Sequence, residues 1–255
     1  MKDEYDASSY HVLIPAAGKS SRLAHLTRNK PKAFIDIAGK SVIEHNLDIL
    51  NSLGFKKVTF VVGYMKEFFI KTLGGKYKNI NIEYVISENY TNTEHGWSFY
   101  LTKDSWMKEK KDVLFMDADN IFDRGLINML ITSKEENISL IDKNPQKKNS
   151  EEELVIGKNG LIEGFERGIF SKDNKFVGEF LGINKFSSKF MEALYKYMDE
   201  FFAKNGPKYK YEIVLHNFIK ETGAKIKYYH AENLFWVNIN NEESYKKARY
   251  WLLNK

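Results

Sequence analysis

The chain is 255 residues long, enough to bury a full core, and its formal charge of +5 sets 39 basic against 34 acidic residues. These charges interleave along the chain and no run of about 18 apolar residues occurs, which argues against a nucleic-acid partner and a membrane span. With no cysteine, disulfides, thiolate metal sites and a cysteine nucleophile are excluded together. The polar start MKDEYDASSY does not read as a signal peptide, so a cytoplasmic protein, monomer or homodimer, is expected.

Val12, Leu13 and Ile14 predict a buried strand. At its carboxyl end Ala16, Ala17, Gly18, Lys19, Ser20, Ser21 and Arg22 predict a small-residue loop rich in cations, with Lys30 and Lys32 soon after. Small side chains let backbone N–H groups approach phosphate oxygens, and the cations neutralise charge. The spacing matches neither GxGxxG nor GxxxxGK[ST], so the residues alone leave the kind of phosphate binder open.

Ser41 to Leu53 predicts a capped helix ended by Gly54; strand 58–62, helix 66–73 and strand 80–86 follow, then a helix from about Glu94. Strand 113–116 leads into Asp117 and Asp119, ahead of a helix over 124–133. This alternation predicts an α/β fold with a mostly parallel central sheet covered on both faces. From Asn137 the texture changes to short strands at 139–141, 154–156 and 161–165, with a returning strand at 175–186. Helices at 187–204 and 211–222, strands at 224–230 and 234–240 and a last helix at 242–253 complete the reading. One domain over 1–255 is expected, with about 137–186 as a small antiparallel, substrate-side insertion.

Ligands of open α/β sheets bind beyond the carboxyl ends of the strands, where Asp117 and Asp119 should share a crevice with the Gly18 loop. A hard cation bridging phosphates needs only one or two protein carboxylates there. A helix N-cap explains the same residues equally well.

The stretch His11 to Lys40 resembles the N-terminal signature of nucleotidyltransferases with a Rossmann-like GT-A fold, LAAGxGxRLxPLTxxxPKxLxxIxGKPxIE. Ala16-Ala17-Gly18, Arg22-Leu23, Leu26-Thr27, Pro31-Lys32, Ile37 to Lys40 and Ile43-Glu44 fall in register. Ser20 replaces the second glycine and His25 the usual proline. Asp119 matches the metal-binding aspartate of the family's GDNIF. Trp236 to Tyr245 resembles WxDIDTPEDY with Asn240 in place of an aspartate; the same asparagines also suit a cap for the last helix.

The resemblance implies Mg²⁺ held by Asp119 and Asn240, with Arg22 at the departing phosphates and Lys32 at the transferring or attacking one. Ser87 to Leu101 and the Asp117 to Asn120 segment look most like phosphocholine, 2-aminoethylphosphonate and phosphoglutamine cytidylyltransferases, which implies CTP and a small phosphorylated acceptor, as in capsule or cell-surface polysaccharide synthesis. Ala16, Ala17, Gly18, Lys19, Ser20, Ser21, Glu88, Gly96, Ser98 and Asp117 are then the expected nucleotide contacts, and Glu179, Tyr211, Glu212 and Arg167 the expected acceptor contacts. A UTP- or dTTP-dependent sugar-1-phosphate transferase and an inactive nucleotide-binding module are the alternatives.

Overall fold

The computed structural model describes residues 5–19, 23, 26–143, 152–169 and 175–255. Strand β1 (Tyr10–Ala16) enters the core, and the short hairpin β2 (Asp36–Ile37) and β3 (Lys40–Ser41) precedes helix α1 (Val42–Ser52). Then come β4 (Lys57–Val62), α2 (Lys66–Leu73), β5 (Lys76–Tyr77), β6 (Ile80–Ile86), α3 (His95–Leu101) and α4 (Lys103–Met107). They are followed by β7 (Asp112–Met116), β8 (Asn120–Phe122) and α5 (Arg124–Thr132). The second half holds β9 (Ile138–Asp142), β10 (Glu152–Lys158), β11 (Leu161–Gly168), β12 (Phe176–Phe186), α6 (Ser188–Asn205), α7 (Tyr211–Thr222), β13 (Lys227–His230), β14 (Trp236–Asn238) and α8 (Glu242–Leu253).

The continuous apolar runs of β1, β4 and β7 are explained by a sheet with two buried faces. Side chains alternate across a strand, so Val12 and Ile14 join one core while Leu13 joins the other, and Leu114 and Met116 are likewise separated from Val113 and Phe115. α1 starts where predicted because Ser41 and Glu44 form a reciprocal capping box. None of the described helices is long and apolar enough to cross a membrane.

The main sheet runs β10-β11-β13-β9-β12-β7-β1-β4-β6-β5. Its centre, β7-β1-β4-β6, is parallel as the alternation predicts. The antiparallel part is larger than expected and continues the same sheet: β12 pairs directly with β7 and with β9. Within β12 the pairing with β9 shifts register between Phe180 and Asn184, around Gly182 at φ +70°. A separate two-stranded ladder joins β8 to β14, with Asn120 opposite Asn238 and Phe122 opposite Trp236. That ladder brings the end of the chain back to the carboxyl edge of β7.

Candidate active site

A cleft of about 520 Å³ opens beyond the carboxyl ends of β1 and β7. Its floor is Pro15, Ala16, Ala17, Gly18 and Lys19, its flank Pro31 to Ala33, and Asp117 and Asp119 approach from β7. Asn238 and Asn240 close one end, while Tyr90, Thr93, Glu94, His95 and Ser98 form the opposite wall. Small residues follow β1 because the backbone itself forms the surface there; no described atom would meet a Cβ at Gly18.

The most charged point of the cleft is a lysine caught between two oxygens. Lys32 Nζ donates to Asp119 Oδ2 at 2.5 Å and to Asn240 Oδ1 at 2.7 Å. Asn238, opposite Asn120 in the β8–β14 ladder, donates its Nδ2 to Asp119 Oδ1 at 2.8 Å, and its own Oδ1 is buried with no partner. Two oxygens already converge on one cation, and a third, unpaired one lies beside them. This donor set suits a hard divalent ion completed by phosphate and water better than a closed protein cage. No group of three or more His, Cys, Asp or Glu that could hold a metal ion occurs among the described residues.

Asp117 and Asp119 are shifted in opposite directions. Burial works against ionisation of both, but the Lys32 ammonium and the Asn238 amide hold the Asp119 carboxyl below the ordinary range. Asp117 lacks such donors; burial first, then the Asp119 charge, push it well above that range. It stands instead against Gly182, where any Cβ would collide with its carboxyl group, and its backbone N–H bonds the Gly182 carbonyl at 3.0 Å.

The far wall is organised by His95, whose Nε2 lies 2.7 Å from Glu212 Oε2. Glu212 is nearly enclosed, its side chain 6% exposed, whereas 35% of the His95 side chain stays open. Burial disfavours a charged imidazole, yet the Glu212 carboxylate overrides this and raises His95 above its usual value. The first turn of α3 is strapped to the segment before α7 by Glu94 N–H to the Pro207 carbonyl and Gly96 N–H to the Tyr209 carbonyl, both 3.1 Å.

The cleft, floored by small residues, lies beyond the carboxyl ends of a parallel sheet, and residues 11–154, more than half of the chain, match the Nucleotidyl transferase family. The chain belongs to the nucleotidyl transferase family. The CTP:phosphoglutamine cytidylyltransferase of Campylobacter jejuni is 28% identical over 204 residues, 74% of this chain and 79% of that one. The UTP–glucose-1-phosphate uridylyltransferase of Haloferax volcanii is 33% identical over 125 residues, so the match spans 49% of each chain, about half the length of that relative. The solved CTP:phosphocholine cytidylyltransferase of Streptococcus pneumoniae shares the fold with a TM-score of 0.74, over 95% of this chain and 99% of that one, at 22% identity.

In this nucleotidyl transferase, Ala16, Ala17, Gly18, Lys19, Lys32, Ser98, Asp117, Asp119 and Asn240 are brought together around one cleft. Ser20, Ser21 and Arg22, with His25, lie outside the described residues. Other expected contacts lie elsewhere. Glu88 pairs with Lys66 at 2.8 Å, mostly in solvent, and is absent from the cleft wall. Gly96 is a packing residue, since a Cβ there would strike the Tyr209 carbonyl. Tyr211 is wholly buried against Phe99, Phe115 and Phe180, an aromatic core position and not an acceptor contact. Glu212 reaches the cleft only through His95. Glu179 lines a smaller hollow with Trp236 and Lys247, which shares Asn238 and Asn240 with the main cleft. Arg167 lies on β11, opposite Glu153 and outside both hollows. His95, Tyr90, Thr93, Glu94 and Asn238 were not anticipated; a histidine opening a predicted helix next to the third strand's end was the one available signal.

Proposed function

We propose that this chain is a cytidylyltransferase that moves CMP from CTP to a small phosphorylated acceptor carrying an amine, as in phosphocholine, aminoethylphosphonate or phosphoglutamine. The observation that carries the transfer chemistry is Lys32 bridging Asp119 and Asn240 at the rim of a cleft floored by Ala16 to Lys19. An acceptor phosphate oxygen attacks the α-phosphorus, the bond from that phosphorus to the α–β bridging oxygen breaks, and pyrophosphate leaves with the electron pair. The attacking phosphate is already an anion at neutral pH, so no side chain has to remove a proton. What remains for the protein is positioning and charge neutralisation.

Backbone amides of the Ala16 to Lys19 floor hold the triphosphate, with Lys19 adding charge. Lys32 holds the transferring phosphate, and Arg22 the departing pair. Asp119 and Asn240 would hold Mg²⁺, which when bound offsets charge on the phosphate oxygens. CTP is supported by the Campylobacter relative, whose match covers most of both chains. A uridylyl or thymidylyl transfer to a sugar 1-phosphate is the second reading, favoured by the Haloferax relative.

The test is pyrophosphate release with each of the four nucleoside triphosphates, with and without Mg²⁺, against a panel of phosphorylated amines and sugar 1-phosphates. Turnover confined to CTP and a phosphorylated amine, and abolished by chelator, is expected. Turnover with UTP or dTTP and a sugar phosphate replaces the first reading by the second, and nucleotide binding without any turnover makes the chain a binding module.

A further inference from the structure

His95 has no part in that transfer chemistry, yet it is held from three sides. Its Nε2 is fixed by Glu212 on α7, its ring lies edge-on to Tyr211 with centroids 4.9 Å apart, and Gly96 lets the backbone behind it press against Tyr209. Nδ1 has no protein partner among the described residues, and the exposed part of the ring belongs to the cleft. A nearly enclosed carboxylate therefore holds a histidine whose second nitrogen is left for a ligand.

The position within the cleft selects which ligand. Asn238 and Asn240, the partners of Asp119 and Lys32, stand between two hollows, the main cleft with His95 and Ser98 on its wall and the smaller one with Glu179. In-line displacement needs attacking and leaving groups on opposite sides of the phosphorus. A nucleotide with its triphosphate on Ala16 to Lys19 fills the main cleft with its base, and the acceptor enters from the smaller hollow. An imidazolium would also repel an acceptor's amine, while the Glu179 carboxylate suits it.

We propose that His95, positioned by Glu212, donates Nδ1–H to N3 of the cytosine ring and thereby selects CTP over UTP. The proposal rests on the transfer reading given above. An imidazole hydrogen-bonded to a carboxylate and carrying both protons is a donor at each nitrogen. Cytosine N3 offers it a lone pair, whereas N3 of uracil or thymine carries a hydrogen, so that donor would face donor and one buried group would be left unpaired. Glu212 from α7 and Asp117 beyond β7 are the acidic groups facing the ring, and Lys210 ahead of α7 is the cation facing it.

The experiment measures CTP and UTP binding calorimetrically on the full chain with Mg²⁺ and no acceptor, across pH 6 to 9. The wild type should prefer CTP, and that preference should fade as the pH rises and the imidazolium loses its proton. His95→Ala should cut the CTP/UTP affinity ratio by about 10-fold or more, by weakening CTP, as loss of a charged donor does. Glu212→Gln, which keeps the shape but removes the charge, should move the fading to lower pH. Equal weakening of both nucleotides by His95→Ala, an unchanged ratio, or a preference that grows with pH each overturns the proposal. The wild-type pH series decides even where a variant fails to fold. A wild type that prefers CTP while the ratio ignores His95 sinks only this inference; one that prefers UTP sinks the cytidylyl reading as well.

Discussion

Lys32 spans Asp119 and Asn240 because Pro31, with ψ at 154°, turns the chain into a short 3-10 turn whose first residue points at β7. Its ammonium neutralises a carboxylate that burial would otherwise protonate. Removing either partner leaves the other charge uncompensated where phosphate charge must be absorbed. Lys32→Ala and Asp119→Ala should each lower kcat by on the order of 10²-fold or more, read by steady-state pyrophosphate release. Asn240→Asp restores a charge to the cation-facing pair and should keep or raise Mn²⁺ affinity in a titration followed by electron paramagnetic resonance; a large loss would show that the amide serves another purpose. Lys32, Asp119 and Asn240 were readable because each sits in a contiguous motif at a strand or helix boundary. Asn238 was not, since its contact with Asp119 depends on a ladder of two three-residue strands too short to show a periodic pattern.

At the scale of elements, α3 is positioned by backbone contact more than by its own sequence. Gly96 donates its N–H to the Tyr209 carbonyl, which stands where a Cβ would be, and this delivers His95 to Glu212 across 117 residues of sequence. Gly96→Ala should push α3 off the 207–211 segment, costing roughly 1–3 kcal/mol as overpacking does. A lowered thermal midpoint together with weakened CTP binding is the expected result; an unchanged protein would mean that the segment yields freely. The helices and parallel strands were legible because their periodicity and caps agree, as in the Ser41–Glu44 box. The place of β12 inside the sheet was not, for no local pattern tells whether a returning strand pairs beside β7 or in a lobe of its own.

Across the whole molecule, acid stability is set far from the cleft. His11 opens β1 fully buried, its Nε2 2.7 Å from the Thr59 hydroxyl and its Nδ1 unpaired. Burial, then the Lys57 charge, lowers it to about 4. The unfolded chain takes up this proton near pH 6.5 and the folded one does not, so the stabilisation is complete above about pH 6.5 and is lost as the pH falls toward 4. That amounts to about 3 kcal/mol, and urea midpoints should drop between pH 7 and 4.5 in the wild type and less in His11→Asn. Glu109, brought down to about 2 chiefly by its bond to Lys57, enters only at lower pH. The ladder between β8 and β14 has a consequence for biosynthesis. Lys32 finds Asn240 208 positions further along the chain, and Asn238 joins Asp119 through the β8–β14 ladder. A nascent polypeptide still short of residue 236 already holds Lys32 and Asp119 but has neither Asn238 nor Asn240 to join them. The Lys32–Asp119 pair can therefore form early in synthesis, while its asparagine partners arrive only once β14 has been made.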